Sequence, residues 1–474
     1  MKNFISKIVA LALILSVCLS FVACGNKEDY IYVGNTAAIT GDGATIGEPF
    51  NIGIEAAFAV YNAKGGFNGR KVALKHYDDM GDPAKCVSLM EKLIHEDEIF
   101  AVVGNYGTYA VANNLKILKE NCVPMVYAAA GNNILFNSNA TSEGDRGIFP
   151  VQPLNQAEGQ MLILRAFAPA FDGETYLGGF GATKVGVISN SNEASQAMVL
   201  GIQEEAEKSG FSDKIIYQNV TTDDFSSAAA ALQAAGCDLV IVTVTEAPFV
   251  SALTALANVN YDKNVLTSYN NANAAVFNDK NSDMTEVGHN ILDKMTVYAQ
   301  AWIDVSDTTY YFNDSSSPLY KAYKRLGKIA KDENGNEIGV PGFSAEYWSI
   351  ALNIFDYCVS QNRTDGLPMS YNSYALAGYI AGDLFCQALE EMQKQGMDLT
   401  RANLVDVLES KEYKIAMADY ISYKNGLREG VQSFALIVFY DTNTLTNDGN
   451  HTAASMTVHP LTSMDDYREL IKNK

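Results

Sequence analysis

Cysteine is sparse: seven in 474 residues, widely spaced and never as Cys-x-x-Cys. That excludes a disulfide framework and a zinc ribbon. Most of Cys86, Cys122, Cys237, Cys358 and Cys386 read as small apolar core residues. Histidine is scarcer still. The five (His76, His95, His289, His451, His459) show no His-Glu-x-x-His or other ligand spacing. They read as surface residues, and no metal is expected. Basic charge is in deficit, with 34 Lys and Arg against 55 Asp and Glu and a net charge of −21. A nucleic-acid or anionic-lipid surface built from clustered cations is thereby excluded. Beyond the N-terminus no apolar run approaches the roughly 20 residues of a membrane span.

Catalytic signatures are missing too. There is no Gly-x-x-x-x-Gly-Lys-Ser/Thr loop and no Gly-x-Ser-x-Gly elbow, which removes an NTPase and the strongest hydrolase signal. "GDGATIG", Gly41 to Gly47, approximates a dinucleotide fingerprint, but Ile46 stands where a small residue belongs and the spacing is one too long. "DENGNE", Asp332 to Glu337, begins like a calcium loop and fails at Glu337 and Phe343. In "YDDMGDP", Asp82 reads as a helix cap, and Asp78 and Asp79 as strand-end turn residues. No nucleophile, base or cofactor site emerges, so neither an enzyme nor a cofactor is expected.

What is present begins at the N-terminus. "MKNFISKIVALALILSVCLSFVAC" has a basic start, an apolar run from Ile8 to Val22 and then small residues, the pattern of a secretory signal peptide. "FVAC", Phe21 to Cys24, resembles a bacterial lipobox, with Phe21 in place of the usual Leu. The expectation is lipidation at Cys24 and attachment to the outer face of a cell membrane.

From Tyr30 the chain alternates. "YIYVGN", "RKVALKHYDD", "IFAVVG" and "VPMVYAA" are strands; "GEPFNIGIEAAFAVYNAKGG", "DPAKCVSLMEKLIHED" and "TYAVANNLKILKEN" are helices. Near-continuous apolar strands separated by helices predict a parallel sheet covered on both faces. After two prolines in "IFPVQPLN" the rhythm restarts with "KVGVISN", "KIIYQNV", "CDLVIVTV" and "NVLTSYN" as strands. The fold class is α/β, with two doubly wound parallel-sheet lobes. Beyond about Val297, "SDTTYYFNDSSSP" reads as a polar loop. Helices follow at "LYKAYKRLGKIAK", "FSAEYWSIALNIFDYCVS", "SYALAGYIAGDLFCQALEEMQKQ" and "TRANLVDVLES", then strands at "YKIAMADYIS" and "QSFALIVFY". These pieces are expected to return to complete the two lobes.

The expected organisation is a signal peptide (1–23), a tether (24–29), lobe 1 (30–150), lobe 2 (151–297), a return to lobe 1 (298–428, with an insert at about 306–343), and a return to lobe 2 with a C-terminal tail (429–474). Ligands of open α/β sheets sit beyond the carboxyl ends of the strands, where helix N-termini favour anions. "VVGNYGTYAVANN", Val102 to Asn114, is such a cradle. Two facing lobes with such loops describe a clamshell.

The stretch Thr40 to Lys85, with "NAKGGFNGRKV" and "YDDMGDP" in order, resembles the type I periplasmic-binding-protein family, and within it the branched-chain amino-acid (leucine/isoleucine/valine) binders. "VVGNYGT", "VPMVYAA" and "DFSSAAAALQAAGCDLV" continue the likeness. It implies two lobes joined by a three-crossover hinge, closing on a small ligand that passes to the permease and ATPase subunits of an ABC importer. The protein would be a lipid-anchored, extracytoplasmic monomer without nucleic-acid partners. A ligand-sensing module acting in trans on a membrane kinase or chemoreceptor is the alternative.

By resemblance, Thr108 with Tyr106 beside it would grip a ligand carboxylate, and the Ala129 carbonyl would meet the other end. The family hydroxyl falls at Gly131 and is absent. Ile46 replaces an aromatic, and Ala194–Ser195 replace a Tyr-Gly pair. No acid stands at Tyr269, Asn270 or Asn271 to pair with an ammonium; Glu246 is the nearest substitute, and Thr245 beside it is a further candidate for the site. The family disulfide is also missing, its positions being Gly81 and Gly107. A buried ammonium without a partner charge costs several kcal/mol. The ligand class expected is therefore amino-acid-like, amide or carboxylate-bearing, rather than an ordinary α-amino acid.

Overall fold

The computed structural model describes residues 29–40, 44–170, 178–222, 224–245, 247–447 and 449–472. Cys24 and Glu246 lie outside the described residues. β1 (Tyr30–Ala37) pairs in parallel with β2 (Lys71–Asp78) and β3 (Val102–Tyr106). β4 (Met125–Ala129) and β5 (Ile148–Pro150) complete a five-stranded parallel sheet in the order β2-β1-β3-β4-β5. Helices α1 (Ala44–Ala63), α2 (Pro83–His95) and α3 (Thr108–Glu120) make the crossovers. Asp82 caps α2 by accepting the Ala84 and Lys85 N–H groups, with Pro83 in the first turn, as its sequence predicts.

α4 (Asn155–Phe167) leads into the second unit. There β6 (Val185–Asn190), β7 (Ile215–Val220), β8 (Leu239–Val242), β9 (Asn264–Thr267) and β10 (Thr296–Ala301) run parallel. They are interleaved with α5 (Glu193–Ser209), α6 (Ser226–Ala235), α7 (Ala247–Asn258) and the short α8 (Glu286–Leu292).

The expected polar loop at 306–318 begins instead as strand β11 (Ser306–Phe312), which pairs with β13 (Glu337–Phe343); β12 (Ala330–Lys331) pairs with β13 in turn. Packing explains the difference. Phe312 stacks on the buried Trp348 at 4.7 Å between ring centroids, and Tyr320, Phe343 and Tyr347 close around them. The helix expected over "LYKAYKRLGKIAK" stops early, as α9 (Pro318–Arg325), before β12.

Three helices then return to the first sheet: α10 (Ala345–Ser360), α11 (Ser373–Lys394) and α12 (Arg401–Ser410). "YKIAMADYIS" is not one strand. It is a hairpin of β14 (Glu412–Lys414) and β15 (Tyr420–Ser422), reversed where Met417 takes φ +58° and the Ala418 N–H donates to the Ile415 carbonyl. β16 (Ser433–Asp441) and β17 (Ala453–Ser463) add antiparallel edges to the second sheet, giving the order β17-β16-β10-β9-β8-β6-β7.

α1 and α11 cross with their backbones in contact. A Cβ on Gly378 would stand 1.8 Å from the Phe50 carbonyl oxygen, and one on Gly53 2.0 Å from that of Ala375. Glycine at these crossings is what lets α11 seal the first lobe. Among the described residues, no helix is long and apolar enough to cross a membrane.

Candidate functional site

The cradle forms where β3 meets α3. Gly107, at φ +99°, occupies the cap position and brings no side chain to satisfy the first-turn N–H groups. Thr108 is exposed at the first helical position. The neighbouring acids are structural. Asp79 is buried and accepts the Tyr109 hydroxyl (2.8 Å) and the Gly81 N–H (2.9 Å). Asp78 accepts the Ile39 and Met80 N–H groups and the Thr40 hydroxyl. Those bonds hold its carboxyl below the usual range despite an opposing desolvation. The Gly107 N–H donates to the Ala129 carbonyl at 3.1 Å, so that oxygen already serves the β3–β4 ladder.

One wall is aromatic. Phe50 lies 5.2 Å from Tyr106 and 6.1 Å from Tyr127; Tyr106 meets Tyr374 edge-on at 5.8 Å; Tyr127 lies 6.5 Å from Trp302. Tyr127 takes φ +61° although bulky and buried, and Gly104 in the adjacent strand takes φ +66°. The register flanks both: Val103 faces Val126 and Asn105 faces Ala128. For a tyrosine this is a strained conformation, costing on the order of 1–3 kcal/mol. The close packing of Phe50, Ile54 and Ala381 over Gly104 leaves no room for a side chain there.

Beside this wall, Tyr269 of the second unit packs against the same core as Tyr106 and Tyr127. Its hydroxyl donates to the Pro153 carbonyl at 3.0 Å. A Cβ on Gly131 would stand 2.6 Å from Asn155 Oδ1 and 2.9 Å from the Tyr269 hydroxyl. The space beside Gly131 is thus filled by two polar groups, and Asn155 Oδ1 is buried without a partner among the described residues. Gly131→Ser should lose about 1–3 kcal/mol of stability in urea denaturation by overfilling this corner. A variant as stable as the parent would show that the corner is slack.

Sequence spacing missed Asn155 and Glu158. Glu158 is fully buried on α4; its Oε1 accepts the Tyr269 N–H at 2.6 Å and its Oε2 lies 2.8 Å from Ser268 Oγ. Burial pushes its carboxyl up to about 8, against the lowering effect of those two bonds. An acid does stand beside the Tyr269 loop, but it comes from another helix. Its sequence carried no distinct signal, since α4 also holds Asn155, Gln156, Gln160 and Arg165.

The remaining positions are spread along the second lobe and the first loop. Ala194 lies in the first turn of α5, its N–H accepted by Asn192. Ser195 is buried within the lobe, 2.8 Å from Thr243 Oγ1. Thr245 follows β8 half-buried, Ile46 is half-buried in the first turn of α1, and the exposed Asn270 donates through Nδ2 to Ser268 Oγ. A cavity of about 470 Å³ lined by Phe180, Asn264, Tyr298 and His459 contains none of these residues. The strand-end loops remain the better candidate, because ligands of open parallel sheets bind there.

Comparisons with known proteins agree with this architecture. A family model described as periplasmic binding protein matches residues 30–328. The Leu/Ile/Val-binding protein homolog 2 of Brucella abortus (strain 2308) is 33% identical over 169 residues, 33% of this chain and 45% of the relative. The chain thus spans about half the length of the curated relatives it matches. Among solved structures, an ABC transporter substrate-binding protein from Sphaerobacter thermophilus superposes with a TM-score of 0.61 at 17% identity, covering 92% of this chain and 99% of the other. A fatty acid ABC transporter substrate-binding protein from Thermomonospora curvata does so at 0.57 and 15%, covering 95% of each chain.

Proposed function

The chain belongs to the periplasmic binding protein family, in its type I, branched-chain amino-acid-binding-like branch, and we propose that it is an extracytoplasmic solute-binding protein. It captures a small carboxylate- or amide-bearing ligand between its lobes and delivers it to the permease and ATPase subunits of an ABC importer. A lipid at Cys24 holds it to the membrane. Thr108 and the first-turn N–H groups of α3 receive the acyl end of the ligand, and Tyr106, Tyr269 and Asn270 enclose the rest. No bond is made or broken, and affinity comes from enclosure and pre-placed donors.

The observation that carries this reading is the uncapped α3 N-terminus beside the aromatic wall. Charge supports the ligand class. Glu158, the acid beside the Tyr269 loop, is held neutral by burial near pH 7 and offers no counter-charge to an ammonium. Carboxylates without an ammonium group, and their amides, are therefore favoured over zwitterions. Because the name of one structural neighbour refers to fatty acids, monocarboxylates of increasing length belong in the test panel. Thermal-shift screening should show stabilisation by members of this class. Stabilisation by none of them, or tighter binding of an α-amino acid than of its des-amino analogue, would refute the assignment. For a bound carboxylate, Thr108→Ala should weaken binding by about 1.5–3 kcal/mol in calorimetry, the range for a lost bond to a charged group. Unchanged affinity would remove Thr108 from the site.

A further inference from the structure

Away from the cleft, the second lobe gathers three side chains that are far apart in sequence. His289 lies on α8, Asp441 ends β16, and His451 precedes β17. One donor atom from each lies within 4.8 Å of the other two. His451 Nδ1 stands 2.5 Å from Asp441 Oδ2, and the His289 and His451 rings meet edge-on with centroids 5.0 Å apart. Asp441 is buried, whereas both imidazoles remain partly open to solvent.

The backbone around them is firmly tied. The Met284 N–H donates to the His451 carbonyl at 2.8 Å. Asn278 bonds Ala453 twice, accepting its N–H at 2.8 Å and donating to its carbonyl at 3.0 Å. The second carboxylate oxygen of Asp441 accepts the Asn443 N–H at 3.0 Å, which fixes the direction in which Oδ2 points. Gly288 lets α8 lie against the preceding turn, since a Cβ there would stand 2.5 Å from the Phe277 carbonyl oxygen. That approach brings His289 to the other two.

An imidazole–carboxylate pair accounts for His451 and Asp441, whereas His289 joins them only through its edge-on contact with His451 and its proximity to Asp441. Two imidazole nitrogens and one carboxylate oxygen are a common donor set for zinc. At metal–ligand bonds of about 2.0–2.1 Å, tetrahedral donors sit roughly 3.3 Å apart, a spacing that small side-chain rotations reach from the present arrangement. Nitrogen donors disfavour calcium and magnesium and suit the later first-row divalent ions. We propose that His289, Asp441 and His451 form a binding site for one such ion, with solvent completing the coordination. The bound ion would tie α8 to the β16–β17 hairpin and so fasten the outer edge of the second sheet.

Isothermal titration of the chelator-treated protein with ZnCl2 should show one ion per chain. His289→Ala and Asp441→Asn should each weaken binding at least tenfold while leaving the circular dichroism spectrum in EDTA unchanged. A stoichiometry below half an ion, an affinity in both variants equal to that of the parent, or equally tight binding of Ca2+ would overturn the proposal. Should a variant fail to fold, Co2+ added to the native protein decides. Intense visible bands of a four-coordinate, imidazole-ligated ion support the site, and the pale spectrum of a hexaaqua-like ion refutes it.

Discussion

Replacing Glu158 by Gln should flatten the pH dependence of stability, by on the order of 3–5 kcal/mol between pH 4.5 and 8. Burial raises the folded-state pKa from the ordinary 4.5 to about 8. Between those values the folded chain keeps a proton that the unfolded chain has lost. The stability from the neutral carboxyl is therefore complete below pH 4.5 and falls as pH rises towards 8, by about 1.4 kcal/mol per pH unit. Glutamine keeps the shape and the neutral state: its oxygen can accept the Tyr269 N–H as Glu158 Oε1 does, while its NH2 faces Ser268 Oγ, where the sense of the bond is reversed. Urea denaturation of parent and variant at pH 4.5, 6 and 8 measures the difference. Similar curves are expected at the acid end, with the variant several kcal/mol more stable at the basic end. Parallel curves across the range would show that Glu158 ionises normally. The same titration bears on ligand choice, because an acid that stays neutral near pH 7 cannot serve as an ammonium partner.

Gly378→Ala should cost about 3 kcal/mol, at the upper end of overpacking penalties. The added methyl would stand 1.8 Å from the Phe50 carbonyl oxygen, and backbone on both sides leaves no flexible side chain to yield. α1 and α11 must part, and Phe50 moves with α1. Since Phe50 packs on Tyr106 and Tyr127, the aromatic wall loosens as well. A lower denaturation midpoint with weaker ligand binding is expected. A stability change under about 0.5 kcal/mol, ordinary for an exposed surface position, would show that the helices part freely.

Alternation along the chain carried most of the fold. Short apolar strands alternating with helices admit few arrangements besides a covered parallel sheet. Signals such as Asp82–Pro83 act within one helical turn, so they are legible without the fold. The strand–glycine–helix junction at Gly107–Thr108 was readable for the same reason, because its parts are adjacent in sequence.

Tertiary packing decided the rest. "SDTTYYF" became a strand because Phe312 found Trp348, and "YKIAMADYIS" became a hairpin because a turn at Met417 reversed it. α4 is buried on nearly every side, Glu158 and Arg165 included, so no polar face marked which residue met the Tyr269 loop. Gly131 reads in sequence as a lost hydroxyl, yet its space is filled by Asn155 and Tyr269 arriving from elsewhere. His289, Asp441 and His451 carry no ligand spacing, because sheet order rather than chain order made them neighbours. Sequence alone determined what short-range propensity and periodicity can encode: most of the elements of the two sheets, their order and the two-lobed class. Which buried groups meet, and therefore the charge and shape of the site, was decided only where long-range packing brought distant segments together.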